Sequence, residues 1–261
     1  MLYCYIVILL GSPSLAFADF ASAKSEYNDA LTKYNQAYSD YLIAKNSHQT
    51  YQTLASLTEA LEKSKIYLEK RDELIISHFG LLLEKIETSD FSSIILKESQ
   101  KTVAGAEIAF YENHLGLIPA LATLKDAAAA AAKSEAQIPS SNLRSKQILG
   151  QILIAKVDSL KYKYASLGAS IEENINELKK NSSRKTKIEK LERWMVEVKN
   201  KQKLCENKLA VIKTGLANLK VKSTNLEQEF NTLRIDITQS SLYLKEGVGF
   251  MKEILEEMKY E

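Results

Sequence analysis

The sequence predicts an all-α fold in which long antiparallel helices form an elongated bundle or coiled coil. Three observations predict it. Stepping alternately three and four residues from Ile188 to Met258 gives 21 seats, 17 of them apolar, and the residues between are mostly Lys, Glu, Asn, Gln and Thr. A repeat averaging 3.5 residues keeps one seam on one side of a helix. Only nine Gly and three Pro occur in 261 residues, so little punctuates the helices. A second heptad seam, Leu153, Val157, Leu160, Tyr164, Leu167, Ile171, Asn174 and Leu178, precedes the first, and its phase slips by one at Ile188/Leu191. Asn174 on a seat is expected to fix its register.

The first eighteen residues differ from the rest. Leu2 to Leu10 is almost wholly apolar, Gly11, Ser12 and Pro13 break the run, and Ala16-Phe17-Ala18 precedes Asp19. That is the form of a secretory signal cleaved after Ala18, although no Lys or Arg precedes the apolar run. The run is shorter than the ~20 residues that span a bilayer. The expected location is therefore extracytoplasmic: secreted, periplasmic or at the cell surface. Three segments follow: a signal at 1–18, an N-terminal region of about four helices at 19–138, and a C-terminal coiled-coil hairpin at 139–261.

Within 19–138 the seats begin Phe20, Ala23, Tyr27, Ala30, Tyr34, Ala37, Tyr41, Ala44. Alternating ring and methyl suits a tight helix pair, with the tyrosine hydroxyls at the seam edge. Asn46-Ser47-His48 offers the first break, with Ser47 as a cap. Leu54, Leu61, Leu68, Ile75 and Leu82 then recur at sevens, and this helix is expected to end near Thr88. A third helix, about Ser92 to His114, carries Leu96, Val103, Ala106, Phe110 and Leu117 as its seats. Gly116 is read as a left-handed C-cap and Pro119 as the first turn of a fourth helix, which contains the run Ala127 to Ala132. Ile138-Pro139-Ser140-Ser141 is read as the boundary between the halves.

In the second half, Lys179-Lys180-Asn181-Ser182-Ser183 reads as a turn, with cations ending one helix and serines capping the next. Thr224 and Glu227 stand at capping-box spacing and would cut Ile188–Met258 into two helices. The unbroken seat phase through Leu219, Ser223 and Leu226 favours a single helix of about 105 Å.

Composition and motifs bear on function chiefly by exclusion. Net charge is +2 with both signs interspersed, unlike the one-sided basic face of a nucleic-acid binder. Apolar content of 45% sets the chain apart from disordered sequences. His48, His78 and His114 are preceded three residues earlier by Lys45, Ile75 and Tyr111, so the Glu-x-x-His signature of di-iron bundles is missing. No zinc spacing, nucleophile elbow or phosphate loop is visible, and Gly247-Val248-Gly249 reads as a bend or close helix crossing. The expectation is a non-enzymatic protein with no catalytic residues, metal or cofactor. Its partners would be proteins, or copies of itself, engaged through helical seams.

Two features carry sharper alternatives. Lys179, Lys180, Arg184, Lys185 and Lys187 put five cations in nine residues; they read as a solvated turn or as a contact to an anionic envelope surface. Cys205, the one cysteine left after signal cleavage, reads as a small buried hydrophobe or as an intermolecular disulfide. A runner-up function is a membrane-active, pore-forming-like protein using residues 115–132. Lys125 and Asp126 oppose that, at roughly 2.5–3.5 kcal/mol each in a bilayer centre.

The run Lys33-Tyr34-Asn35-Gln36-Ala37-Tyr38-Ser39-Asp40-Tyr41, with Tyr51-Gln52-Thr53-Leu54 and Leu68-Glu69-Lys70-Arg71-Asp72, resembles exported helical proteins of small-genome candidate-phylum bacteria. The likeness covers residues 25–85. It implies export and helical architecture and brings no site residues with it.

Overall fold

The computed structural model describes residues 16–181, 185–221 and 225–259, with side chains for 20–180, 185–221 and 225–259. The fold is all-α, with six α-helices and no strand among the described residues. They are α1 (Ala16–Tyr51), α2 (Leu54–Glu87), α3 (Ile94–Leu117), α4 (Leu124–Asn181), α5 (Lys185–Asn218) and α6 (Leu226–Lys259), with a 3-10 turn at Ile118–Ala120. The chain divides into two compact units: residues up to Thr88 with Lys97–Ser145, and Ser89–Leu96 with Lys146–Glu261. The hydrophobic stretch 1–15, with most of the expected signal, lies outside the described residues.

In the first unit α1 and α2 form an antiparallel hairpin. Its register is set by Phe20 against Lys85, Tyr27 against His78, Tyr34 against Tyr67, and the Lys63–Asp40 ion pair at 3.1 Å. Ala37 and Ala44 are buried while Tyr34 and Tyr41 are half-buried, so the small residues sit inside and the rings cover them. The break comes later than Ser47. Helix α1 runs to Tyr51, Gln52 turns the chain at φ 48°, and Thr53 caps α2 in a reciprocal bond with Ser56. The true cap belongs to the position where two side chains can bond back to the backbone. Helix α2 ends at Glu87, and the Thr88 amide closes on Glu84 O at 3.1 Å.

Gly116 does not cap α3. No glycine among the described residues has positive φ, and the helix passes through to Leu117. Pro119 opens the 3-10 turn, and α4 starts on an unforeseen capping box in which Thr123 and Asp126 bond each other's amides at 2.9 and 3.1 Å.

Pro139 does not end a helix either; it lies within the 58-residue α4. A helical proline deprives the carbonyl four residues earlier of its donor. That carbonyl belongs to Glu135, and both Glu135 and Pro139 are exposed, so the carbonyl is open to solvent. The division between units falls at Ser145/Lys146, inside the same helix.

The second unit is a three-helix bundle. Helix α5 runs antiparallel to the end of α4, as the pairs Lys213–Asp158 and Lys199–Glu172 show. Helix α6 runs antiparallel to α5 through Lys190–Glu257, Lys201–Glu246 and Lys208–Asp236. The seats read from Ile188 onward are the core: Leu191, Cys205, Ile212 and Ile254 are fully buried, with Met195, Val198, Leu209, Leu216, Phe230, Ile237, Leu244 and Met251 beside them.

Continuity of that seam did not mean one helix. The chain folds back between Asn218 and Leu226, so the expected single helix is two arms of 34 residues. Heptad phase survives the turn because both arms face the same core. Thr224 and Ser223 lie outside the described residues. On α4 the seam shifts at alternate seats: Gly168 and Ile175 are buried where Leu167 and Asn174 were expected, and Asn174 is half-buried. A third helix widens the core, and Gly168 admits the methyl ends of Met251 and Met195.

Gly247 is the crossing point. The Tyr164 ring of α4 lies across it, and the Tyr164 hydroxyl donates to Val198 O of α5 at 2.8 Å. One side chain thus joins all three helices, and only a residue without Cβ leaves room for it.

Candidate functional site: a buried polar core and an adjoining cleft

Helix α3 buries charge where apolar seats were expected. Ala104, Glu107, Tyr111, His114 and then Ile118 face inward, one position beyond the expected Val103, Ala106, Phe110 and Leu117. Glu107, Tyr111 and His114 recur at four and three residues and share one helix face. The facing stripe of α4 is Ser134, Gln137 and Ser141, and α2 supplies Arg71 and Asp72.

Two linked clusters result. In the first, Asp72 Oδ2 faces His114 Nδ1, and the Ser134 hydroxyl donates to Asp72 Oδ1 at 3.4 Å. His114 Nε2 donates to Ala130 O at 2.9 Å. Asp72 and Ser134 are 0% exposed and His114 2%. Burial pushes the Asp72 carboxyl above its ordinary value, against the opposing pull of His114. Arg71 lies alongside, its Nε 3.8 Å from Asp72 Oδ1 and its Nη1 3.5 Å from Glu135 Oε1. Arg71 Nε and Nη2 are buried with no hydrogen-bond partner among the described residues.

In the second cluster Glu107, 0% exposed, pairs with Arg144 and accepts from the Ser141 hydroxyl at 2.5 Å and from Gln137 Nε2 at 3.2 Å. Tyr111 OH lies 3.0 Å from Ser141 Oγ, and burial raises its phenol pKa.

The trio Ser134, His114 and Asp72 has the membership of a nucleophilic triad without its wiring. A triad needs one imidazole nitrogen on the serine and the other on the acid. Here the serine bonds the acid, Nδ1 faces that same acid, and Nε2 is spent on Ala130 O, so neither imidazole nitrogen is on the serine. This arrangement fastens α2, α3 and α4 together, since satisfied buried polar groups fix one packing.

Beside the second cluster lies a cleft of about 300 Å³ walled by Tyr27, Phe79 and Ile138, with Tyr111, Ser141 and Ser145 at its polar edge. His78 Nε2 and Ser145 Oγ are 2.6 Å apart there. Neither the two clusters nor the cleft is marked by a motif in the sequence. The one available signal was the spacing of Glu107, Tyr111 and His114, a polar stripe on a helix whose apolar pattern was irregular.

The residues singled out from sequence lie elsewhere. Lys179 pairs with Glu192 at 2.6 Å across the α4–α5 turn. Lys180 and Lys185 are exposed, Lys187 is half-buried, and Arg184 lies outside the described residues. Cys205 is free and 0% exposed, and burial raises its thiol pKa to about 11. Residues 115–132 do not form one helix: α3 ends at Leu117, and α4 begins at Leu124 after the 3-10 turn. No helix among the described residues is long and apolar enough to cross a membrane. No group of three or more His, Cys, Asp or Glu among them is placed to hold a metal ion.

The Cys205 environment sets an alkaline limit on stability. Its thiol moves from 9.0 to about 11 and the Tyr164 phenol from 10.0 to about 12, both by burial. The folded chain holds these protons more tightly than the unfolded chain. Their stabilisation is therefore complete below pH 9 and is lost as pH rises through 11 and 12. Urea midpoints are expected to fall between pH 8.5 and 11, and less steeply in Cys205→Ala. Equal slopes in the two proteins would contradict this.

Comparison with protein-family models, curated proteins and solved structures finds no match for this chain.

Proposed function

We propose that this is a non-enzymatic, exported coiled-coil protein of the cell envelope or cell exterior. Its role in this reading is structural or protein-binding, exerted through the outer faces of its helices. One observation carries the interaction part. Leu204 and Val211 on α5, and Ile235 and Leu242 on α6, each stand seven residues apart and are 43%, 64%, 67% and 47% exposed. The Lys208–Asp236 pair sets the two arms level, so both pairs fall along the same stretch of hairpin. Seven-residue recurrence of apolar residues outside a completed core is a seam without an internal partner.

The wiring of His114 supports a non-enzymatic role, and the form of residues 1–18 supports export. The membrane-active alternative needs a continuous apolar helix at 115–132, and the turn at Ile118–Ala120 interrupts that stretch.

A photo-crosslinking residue placed at Val211 or Ile235 in the native host tests the proposal, with exposed Glu206 on α5 as the control position. Discrete adducts at 211 and 235 but not 206, in an extracytoplasmic fraction whose protein begins at Asp19, are expected. Identical patterns at all three positions, or a cytosolic protein with residues 1–18 intact, would overturn it. Dye release from liposomes by the full chain would move the reading to the alternative.

A further inference from the structure

We infer that the cleft between α1, α2, α3 and α4 of the first unit binds a small, neutral, planar aromatic molecule that carries a hydrogen-bond donor. Size gives the first constraint. About 300 Å³ stands at the small end of the range in which proteins hold small molecules.

Charge gives the second. No Asp, Glu, Lys or Arg lines the cleft. Glu107, which accepts from the lining residue Ser141, is paired with Arg144. A charged ligand would lose its hydration with nothing to compensate it, whereas a neutral one would not.

Shape gives the third. The Tyr27 and His78 rings stand 5.7 Å apart at 53°, and His78 meets Phe79 edge-on at 5.5 Å. These rings form an aromatic corner, which favours a flat ring in offset or edge contact.

The polar edge gives the fourth. Ser141 Oγ is already committed to Glu107 and Tyr111. Ser145 is not: a hydroxyl has one donor and two acceptor sites, and its bond to His78 Nε2 uses one of them. Asn142, exposed at the rim, adds an amide with both functions. The aromatic body thus enters against Tyr27 and Ile138, and its N–H or O–H donates to Ser145 Oγ.

Indole is the probe. Titration into the full chain, followed by saturation-transfer NMR, is expected to show saturable binding with Kd below about 1 mM. Benzoate, similar in size but anionic, is expected to bind at least about 10-fold more weakly. Ser145→Ala is expected to weaken indole about 5- to 10-fold with the helical circular dichroism unchanged. Should that variant fail to fold, Asn142→Ala at its exposed position is read against the surface control Lys203→Ala, and a selective loss is expected. Absence of saturable indole binding, benzoate binding as tight as indole, or equal weakening by the control would overturn the assignment.

Discussion

Gly247→Ala is expected to destabilise the second unit by about 2–4 kcal/mol, although alanine is the better helix former by about 1 kcal/mol. The reason is local. A Cβ there would meet the Tyr164 hydroxyl, and would stand 2.6 Å from Cζ and 2.8 Å from Cε2 of the same ring. The ring cannot retreat without giving up its hydrogen bond to Val198 O. Gly150 provides the contrast: a Cβ there meets the end of the Leu216 side chain at 2.6 Å, and a leucine can change rotamer. Gly150→Ala is therefore expected to cost under about 1.5 kcal/mol. Urea unfolding of both variants checks the ranking. If the clash is the cause, Tyr164→Leu added to Gly247→Ala restores part of the loss, a non-additivity that a double-mutant cycle measures. Strict additivity would place the cost elsewhere.

Asp72→Ala is expected to cost about 3–5 kcal/mol in the first unit, because it leaves His114 and Ser134 buried with their shared acceptor gone. Asp72→Asn is expected to cost far less. Its amide can donate to His114 Nδ1 while its carbonyl accepts from Ser134, so both hydrogen bonds survive without the buried carboxylate.

The two proteins also differ in pH dependence. Burial raises the Asp72 pKa in the folded state above its ordinary 3.8, so the folded chain holds that proton more tightly than the unfolded chain. Wild type, measured against Asp72→Asn, is thus expected to be most stable below pH 3.8 and to lose ground as pH rises through the raised value. A constant difference across that range would contradict the burial of Asp72.

The sequence made the second unit legible and left the first largely dark, for a physical reason. From Ile188 to Met258 the inward positions are apolar and the outward ones charged, so period alone marks Leu191, Cys205, Ile212 and Ile254 as core. Period cannot report a reversal of direction. A chain that turns and re-enters the same core keeps its phase, which is why Asn218–Leu226 read as continuous. In α3 the inward positions are Glu107, Tyr111 and His114, whose burial depends on partners from Asp72, Ser134 and Ser141. Those partners come from other helices, and no local pattern announces them. The same holds for the cleft, whose lining comes from four helices.

The central claim is that α6 folds back along α5, closing the long seam within one chain. A spin-label distance between Glu189 and Glu256 tests it directly, in a protein with Cys205→Ala and Cys4→Ser. The two sites adjoin the Lys190–Glu257 pair at 2.7 Å, so a distance under about 25 Å between the label ends is expected. A continuous helix across the same 67 residues would place them about 100 Å apart, at 1.5 Å per residue, and a distance near that value would contradict the account.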